Sequence, residues 1–251
     1  MIIDRAAVER AFDGRAQTYD QSKMHRALAE SVASFVDLEG VRDVLDVATG
    51  TGLLLRALPP GGLRLSGTDI SQRMLDEAAA HLPGADFRRA EASQLPYVNA
   101  SFDLVTCVSA LPYLDPLPSF AEWRRLIRPE GRIALTAWEE NGIPSTAILR
   151  AAALEHGIAL EDPNAATGSL AALEAIARGA DLRILRSTRW SEAAPAPTAA
   201  GLMNQAAPFG PTALDDASSE VRRAVERTLR ELIGVARRFE EHSLVVELAA
   251  T

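Results

Sequence analysis

The stretch V-L-D-V-A-T-G-T-G-L-L-L, from Val44 to Leu55, decides the fold. An apolar run with one acid, Asp46, leads into Gly50 and Gly52, and a second apolar run follows. This pattern is typical of a buried β-strand that turns tightly into an α-helix. Paired glycines in such a turn indicate either a ligand that approaches the backbone closely or a turn with special backbone angles. The stretch alone therefore leaves three readings: a nucleotide phosphate, another small molecule, or a plain turn.

The residues around the glycines bear on what the turn holds. A dinucleotide site normally has the pattern G-x-G-x-x-G, but Leu55 occupies the third glycine position here. Asp46 would repel a pyrophosphate, whereas it can meet the ammonium group of S-adenosylmethionine (SAM), directly or through water. Both residues favour SAM over a dinucleotide.

A second acid ends the next apolar segment, L-S-G-T-D-I-S. Asp69 lies 17 residues after Gly52, and an acid at the end of a second strand can accept hydrogen bonds from both ribose hydroxyls. Because NAD and SAM share that ribose, Asp69 indicates an adenosine without saying which cofactor carries it. The alternative is a helix-capping role shared with Ser71.

Short apolar or β-branched segments alternate with helical segments from residue 41 onwards. The predicted strands are 41–47, 63–68, 85–89, 103–109, 132–138, 181–190 and 242–249. The predicted helices are 50–58, 71–81, 119–127, 149–156, 170–178 and 221–239, with Ser71 as an N-cap and the Ala/Pro stretch 192–201 as a linker or loop. The alternation predicts an α/β protein with a doubly wound, seven-stranded, mostly parallel sheet and helices on both faces.

Charge and composition exclude several classes of partner. A net charge of −8 argues against a nucleic acid or an anionic membrane as the main partner. The one cysteine, Cys107, excludes an internal disulfide and a cysteine-built metal site, and we expect no metal. No apolar run approaches the ~18–20 residues that span a bilayer, and charges interrupt the N-terminal residues, so we expect a cytoplasmic protein without a signal peptide.

Four motifs carry a family resemblance. V-L-D-V-A-T-G-T-G, G-T-D-I-S-x-x-M-L, R-A-E-A-S-Q-L-P-Y-x-x-x-S-F-D-L-V and W-R-R-L-I-R-P-E-G-R-I occur in this order between about residues 40 and 138. In register, they resemble the successive motifs of class I SAM-dependent methyltransferases, in the small-molecule branch that includes quinone-biosynthesis and natural-product enzymes. The flanks resemble the family only loosely, through Y-D near residue 20.

The resemblance implies a domain plan and a set of cofactor-binding residues. It implies a single Rossmann-like domain over 1–251, with an N-terminal helical lid (1–40), a SAM-binding core (41–138) and acceptor-side helices and last strands (139–251). Tyr19 would lie in the lid that closes over the cofactor. The implied cofactor-binding residues of the core are Asp46, Ala48, Gly50 and Gly52 at the methionyl part, Asp69 at the ribose, Ile70, Glu91 and Ala92 toward the adenine, and Val108 and Ser109 beside the sulfonium. Met74, one turn after Ile70, fits a cofactor contact and a core position equally well.

The sequence departs from the family pattern at three informative places. Ala48 stands where many members have glycine, and Glu91 is one methylene longer than the usual aspartate. Pro112 and Tyr113 occupy a place often held by a histidine pair, so a histidine base there is in doubt.

The candidate catalytic residues lie outside the core motifs. Tyr19 and His25 belong to the lid, Tyr113 follows the fourth predicted strand, and His156 lies in the late helical region where acceptor pockets are usually built. Each of the four also has a simpler reading as a packing or surface residue. The Ala- and Leu-rich composition of residues 140–240 hints at an apolar or aromatic small-molecule acceptor.

Three functions are consistent with these residues. The first is transfer of a methyl group from SAM to the oxygen, nitrogen or carbon of a small molecule, in secondary metabolism or quinone-type biosynthesis, by a monomer or homodimer. The second is SAM binding without methyl transfer, as in a cyclase or a structural partner. The third, a nicotinamide oxidoreductase, is disfavoured by Leu55.

Overall fold

A seven-stranded sheet forms the centre of the protein. The computed structural model describes residues 4–204, 213–236 and 238–251, and it orders the strands β3-β2-β1-β4-β5-β7-β6. In chain order they are β1 (Asp43–Val47), β2 (Arg64–Asp69), β3 (Asp86–Arg89), β4 (Phe102–Cys107), β5 (Ile127–Trp138), β6 (Leu182–Ala193) and β7 (Glu240–Ala250). β7 is antiparallel to both of its neighbours, and the other paired strands are parallel. The predicted sheet is confirmed.

Helices surround the sheet and follow most of the predicted segments. They are α1 (Arg5–Arg15), α2 (Lys23–Phe35), α3 (Leu53–Ala57), α4 (Gln72–His81), α5 (Pro116–Leu126), α6 (Pro144–Glu155), α7 (Leu170–Gly179), α8 (Ala199–Met203) and α9 (Ser219–Val235), with short 3-10 turns at Ala16–Gln21 and Leu111–Tyr113. The Ser71 hydroxyl accepts a hydrogen bond from the Met74 amide at 3.1 Å, so Ser71 caps α4 as predicted. No helix in these three ranges is long and apolar enough to cross a membrane.

Two apolar clusters cover the two faces of the sheet. On one face, Phe120 and Trp123 of α5 pack with Leu173 of α7. On the other, Leu28 of α2 and Leu55 of α3 pack together. Because both faces are covered, central strands such as β1 and β4 consist almost wholly of buried residues. This two-sided core explains why these strands read as continuous apolar runs rather than as alternating ones.

The helices of the late region form a cluster of their own. Buried residues of α6, α8 and α9 pack against one another, including Ala152, Leu202 and Leu229. The predicted region 139–251 also contains residues 205–212 and 237, which lie outside the described residues.

Several predicted boundaries are wrong for identifiable reasons. Helix 50–58 is only Leu53–Ala57, because the two preceding glycines have left-handed backbone angles that no α-helix accepts. Helix 221–239 ends at Val235, because the chain turns into β7 and buries Phe239 just before it. The stretch 192–201 is not one linker, since β6 extends to Ala193 and α8 begins at Ala199. Predicted helix 119–127 begins earlier, at Pro116, and its last residue starts β5.

The strand order creates a crevice at one end of the sheet. β1 lies between β2 and β4, so the connections after β1 and β4 diverge to opposite sides of the sheet. In open α/β sheets, ligands bind in the crevice at the carboxyl ends of the strands where the order reverses. The glycine turn after β1 and Asp69 at the end of β2 lie at this place.

Candidate functional site

The glycine turn has a backbone that favours glycine. Gly50 has φ +54° and Gly52 has φ +78°, both in the left-handed region. A Cβ added to Gly50 would lie 3.8 Å from Cε1 of Tyr19, which is an ordinary contact. Backbone conformation, more than lack of space, therefore selects glycine here. Ala48, also left-handed at φ +54°, stores strain in the same turn.

Asp69 is held against the glycine turn. Its carboxylate accepts hydrogen bonds from the amides of Gly50 and Ser71, each at 2.9 Å. Burial raises the pKa of Asp69 to about 6, although these amide hydrogen bonds act in the opposite direction. The predicted capping function thus belongs to Ser71, while Asp69 fixes the loop and still faces the cleft.

Asp46 lies beneath the turn rather than on its surface. It is 2% exposed, and its carboxylate accepts a hydrogen bond from the Thr106 hydroxyl at 2.7 Å. Burial raises its pKa to about 7, and the nearby Asp69 raises it further against the hydrogen bonds from Thr106 and Thr49. Asp46 is therefore a buried acid whose ionisation a nearby cation would stabilise.

A cleft opens above these residues at the carboxyl ends of the strands. It encloses about 640 Å³ of empty space, with the solvent in its open mouth included. Its wall combines apolar and aromatic side chains with a few acids and an arginine. The lining residues are Arg5, Val8, Phe12, Tyr19, Ala48, Gly50, Asp69, Ile70, Ala90, Glu91, Ala92, Val108, Ser109, Ala110, Tyr113 and Leu114.

One face of α1 lies along the cleft. Arg5, Val8 and Phe12 follow one another at three- and four-residue steps, so they share a helix face, and all three line the cleft. Nε of Arg5 lies 3.2 Å from Oε2 of Glu91, which places the start of α1 beside the third strand's end. Phe12 lies two turns further along α1 and marks the other end of the cleft wall that this helix forms.

Aromatic rings crowd the Phe12 end of the cleft. Phe12 and Tyr113 meet edge to face, with ring centroids 5.1 Å apart at 89°. Tyr19 lies beside Gly50, and its ring stacks on His25 with centroids 4.2 Å apart at 14°. This end therefore suits an apolar or aromatic group.

The two phenols and the imidazole at this end are neutral near pH 7. Burial raises the pKa of Tyr19 and of Tyr113 above the usual range of a phenol, against the lowering effect of Arg15. Burial and the charge of Arg15 lower the pKa of His25 to about 4. Phenol and imidazole groups are thus present as hydrogen-bonding groups rather than as charges.

The end of β4 is held by a buried hydroxyl. Ser109 has φ +59°, and its amide donates a hydrogen bond to Oγ1 of Thr136 at 2.8 Å. Thr136 lies in β5 and is 1% exposed. A strained residue that lines the cleft is therefore fixed from the neighbouring strand.

The structure brings most predicted site residues together. Those that line the cleft are Tyr19, Ala48, Gly50, Asp69, Ile70, Glu91, Ala92, Val108, Ser109 and Tyr113.

Gly52, Asp46 and Met74 lie behind the lining, and Met74 is fully buried. His25 stacks behind Tyr19 without lining the cleft. His156 does not line it either, and its Nε2 lies 2.9 Å from the Thr228 hydroxyl. Within the described ranges, every lining residue precedes residue 115, so the late helices contribute none.

Sequence reasoning missed the wall that α1 provides. Arg5, Val8 and Phe12 were visible only as a three- and four-residue spacing ahead of Y-D. Nothing in that spacing says which element the helix covers, because the contact with Glu91 spans 86 positions of sequence.

Comparison with known proteins agrees with this geometry. Residues 45–135 match the family model described as "Methyltransferase domain". The chain is similar to a malonyl-[acyl-carrier protein] O-methyltransferase of Hahella chejuensis, 35% identical over 52% of this chain and 49% of the relative. It is also similar to a demethylmenaquinone methyltransferase of Clavibacter sepedonicus, 33% identical over 40% of this chain and 43% of the relative. The matched stretch spans about half the length of these curated relatives or less.

Solved structures share the fold at low sequence identity. Magnesium protoporphyrin IX methyltransferase of Synechocystis, solved with bound S-adenosylhomocysteine (SAH), has a TM-score of 0.56 and 15% identity, over 90% of this chain and 84% of that one. The [4+2]-cyclase SpnF has a TM-score of 0.55 and 18% identity, over 90% of this chain and 81% of that one.

The glycine turn, Asp69 and the matched stretch together point to one class of protein. Residues 45–135 match the methyltransferase domain, and the chain is similar to class I SAM-dependent methyltransferases. The particular branch to which it is similar is that of small-molecule methyltransferases, and the cofactor implied is SAM.

Proposed function

We propose that this protein transfers a methyl group from SAM to a small-molecule acceptor, on oxygen, nitrogen or carbon. The observation that carries the proposal is the cleft at the strand-order reversal, where Asp69 is bonded to the glycine turn inside the methyltransferase domain. An acid and a glycine turn at neighbouring strand ends fit a ribose and the chain attached to it.

The residues present fit the cofactor's chemistry. Asp69 would accept hydrogen bonds from the ribose hydroxyls, and Ile70 would pack on the adenine, whose edge Glu91 and Ala92 would meet. Ala48 and Gly50 would lie along the methionyl part, and Val108 and Ser109 beside the sulfonium. In the same proposal, Asp46 would offset the cofactor's positive charge from below.

The chain's own contribution is mainly orientation. When bound, SAM supplies a methyl group already activated on a sulfonium. Holding an acceptor in line with such a group can contribute about 7–11 kcal/mol. α1 lines the cleft and would shield it from water, while Phe12, Tyr19 and Tyr113 give the acceptor end an apolar surface. The neutral Tyr19 hydroxyl would orient an acceptor by a hydrogen bond, since a phenolate is not available near pH 7, and His25 would hold the Tyr19 ring from behind.

Two measurements test the proposal. Calorimetry should detect SAM and SAH binding to the full chain and no binding of NADH. Incubation with labelled SAM and a small-molecule extract should transfer the label to an extract component, and Asp69→Ala should abolish both signals. Failure to bind SAM would refute the proposal at its first step.

Binding of SAM without transfer would instead support the second candidate, a SAM-binding protein such as a cyclase. The fold does not separate the two, because a [4+2]-cyclase and a methyltransferase have nearly equal TM-scores to this chain. We further propose that the protein acts in the cytoplasm as a monomer or homodimer, which gel filtration and fractionation would test.

A further inference from the structure

A row of polar side chains joins α1 to the ends of β2 and β3. Arg5, Glu9 and Asp13 follow one another at four-residue steps, so they share one face of the helix. Oε1 of Glu9 lies 2.5 Å from Nη2 of Arg89. The Ser71 hydroxyl donates a hydrogen bond to Asp13, also at 2.5 Å. These two contacts span 80 and 58 positions of sequence, so tertiary structure fixes the orientation of this face.

Arg5, at the start of this row, contacts an acid of the cleft wall. Its Nε lies 3.2 Å from Oε2 of Glu91, and both residues line the cleft. The Asp4 side chain accepts a hydrogen bond from the Ala7 amide, so α1 is capped immediately before Arg5. A carboxylate has about four lone-pair sites on its two oxygens, so one arginine leaves Glu91 able to accept from a ligand as well.

The fold fixes the backbone of Glu91, and Arg5 restrains its side chain. The Glu91 carbonyl accepts a hydrogen bond from the Gln94 amide at 3.0 Å, and the next carbonyl, that of Ala92, accepts from the indole of Trp123 at 3.0 Å. The long side chain loses rotamer entropy when its carboxylate is held at one point. Both members of the ion pair are partly exposed, so the pair contributes little to stability, and its effect lies in where it holds the carboxylate.

Glu91 lies one strand beyond the acid that would hold the ribose. Asp69 ends β2, and the parallel strand β3 places Arg89 opposite it. Nε of Arg89 donates a hydrogen bond to the Ile70 carbonyl at 2.8 Å, which ties the two strand ends together, and Glu91 follows two residues later. Because neighbouring strands lie about 4.8 Å apart, a base attached to a ribose at Asp69 would reach Ile70 and Glu91.

We infer that Arg5 is a positioning residue for recognition of the nucleobase, because it holds the Glu91 carboxylate where the 6-amino group of adenine can donate to it. The inference rests on the proposed function, since it takes the cleft as the SAM site with the ribose at Asp69. A 6-oxo purine presents a lone pair in place of that donor, so a carboxylate held there would reject it. A glutamate free to move could instead turn to the N1–H donor of the 6-oxo purine.

Two matched ligands test this inference on the full chain. S-inosylhomocysteine differs from SAH only in the purine, where a 6-oxo group with N1–H replaces the 6-amino group, and calorimetry gives the Kd of each. We expect SAH to bind at least about tenfold more tightly, the effect of one charge-assisted hydrogen bond. Arg5→Gln should lower this preference to about threefold or less, because Glu91 is released. Arg10→Gln, which changes an exposed arginine of the same helix, should retain the full preference.

A double-mutant cycle shows whether Arg5 acts through Glu91. Glu91→Gln presents an amide, which can accept from the amino group or donate to the oxo group, and should itself lower the preference. If Arg5 acts by positioning Glu91, Arg5→Gln should add no further change in the Glu91→Gln background. An equal change in both backgrounds would show that Arg5 acts independently of Glu91 and would overturn the inference.

Other results would overturn the inference as well. An equal loss of affinity for both ligands in Arg5→Gln, with the preference kept, would give Arg5 only a structural role in holding α1. Equal affinities in the unaltered chain, or a greater preference in Arg5→Gln, would show that Arg5 does not hold Glu91 at the amino group. Failure of the proposed function is seen separately, because the unaltered chain would then bind neither SAM nor SAH.

Discussion

The Gly50 amide donates a hydrogen bond to Oδ2 of Asp69 at 2.9 Å, so the turn after β1 and the acid that ends β2 form one unit. The second oxygen of the same carboxylate accepts from the Ser71 amide, also at 2.9 Å. Because these two bonds fix both the turn and the start of α4, a change at Asp69 affects the site's shape as well as its charge.

Asp69→Asn should weaken SAM binding by at least about tenfold, because an amide removes one acceptor oxygen and the charge. The control is Asp103→Asn at the opposite end of the sheet, where the carboxylate accepts from the amides of Arg42 and Asp43, both at 2.9 Å. That variant should lower the unfolding temperature and leave the calorimetric Kd for SAM unchanged. Equal Kd values in both variants would contradict the cofactor site.

The buried acids predict a pH dependence of SAM binding. With folded pKa values of about 7 for Asp46 and about 6 for Asp69, both raised by burial, the folded chain keeps protons that the unfolded chain has released. Their contribution to stability is therefore present at low pH and is lost as the pH rises through these values. A cationic ligand favours the ionised acids, so SAM affinity should rise between about pH 5 and 8 with release of protons.

Calorimetry in two buffers of different ionisation enthalpy measures that proton release. SAH, which lacks the sulfonium charge, is the matched ligand and should show a shallower pH dependence. Asp46→Asn should remove the upper part of the SAM profile. Identical profiles for SAM and SAH would exclude compensation of the sulfonium charge by these acids.

The hydroxyl of Thr136 predicts a positioning effect on Ser109. Thr136→Val leaves the Ser109 amide without its acceptor and should cost about 1–3 kcal/mol of unfolding free energy. Because Ser109 lines the cleft in a left-handed conformation, SAM affinity should fall as well. Thr136→Ser keeps the acceptor and should restore the affinity for SAM in calorimetry, even where some stability is lost with the methyl group. A stable Thr136→Val variant with normal affinity would refute this role.

The parts of the fold that depend on local pattern could be predicted from the sequence. Buried strands such as β1 are recognisable in the sequence as apolar runs. Ser71 is recognisable as an N-cap because the amide that it accepts from, that of Met74, is only three residues away. The end of α9 could not be predicted, because the burial of Phe239 just before β7, rather than helical spacing, decides it.

The site shows the same division. The turn and Asp69 follow from spacing along the chain, whereas the α1 wall depends on a tertiary contact with Glu91. His156 has the chemistry of a base, but the fold places its imidazole within hydrogen-bonding distance of the Thr228 hydroxyl, and it does not line the cleft.

Tyr19 and His25 give the prediction that bears most directly on catalysis. Tyr19→Phe keeps the ring that stacks on His25 and removes only the hydroxyl, so the packing beside Gly50 should survive. If the hydroxyl orients the acceptor, label transfer from SAM should fall by about tenfold or more, the lower range of effects of such groups, with SAM affinity nearly unchanged. His25→Ala removes the stacking partner and should act in the same direction.

His156→Ala is the matched control, since that imidazole bonds to Thr228 outside the cleft. It should leave both transfer and affinity unchanged. Because the pKa of His25 is about 4, the pH profile of transfer should show no inflexion near pH 6.5 from this group, and an inflexion there that disappears in His25→Ala would mean that the imidazole titrates during turnover. Unchanged transfer in both Tyr19→Phe and His25→Ala would contradict this role and would mean that only the apolar walls of the cleft orient the acceptor.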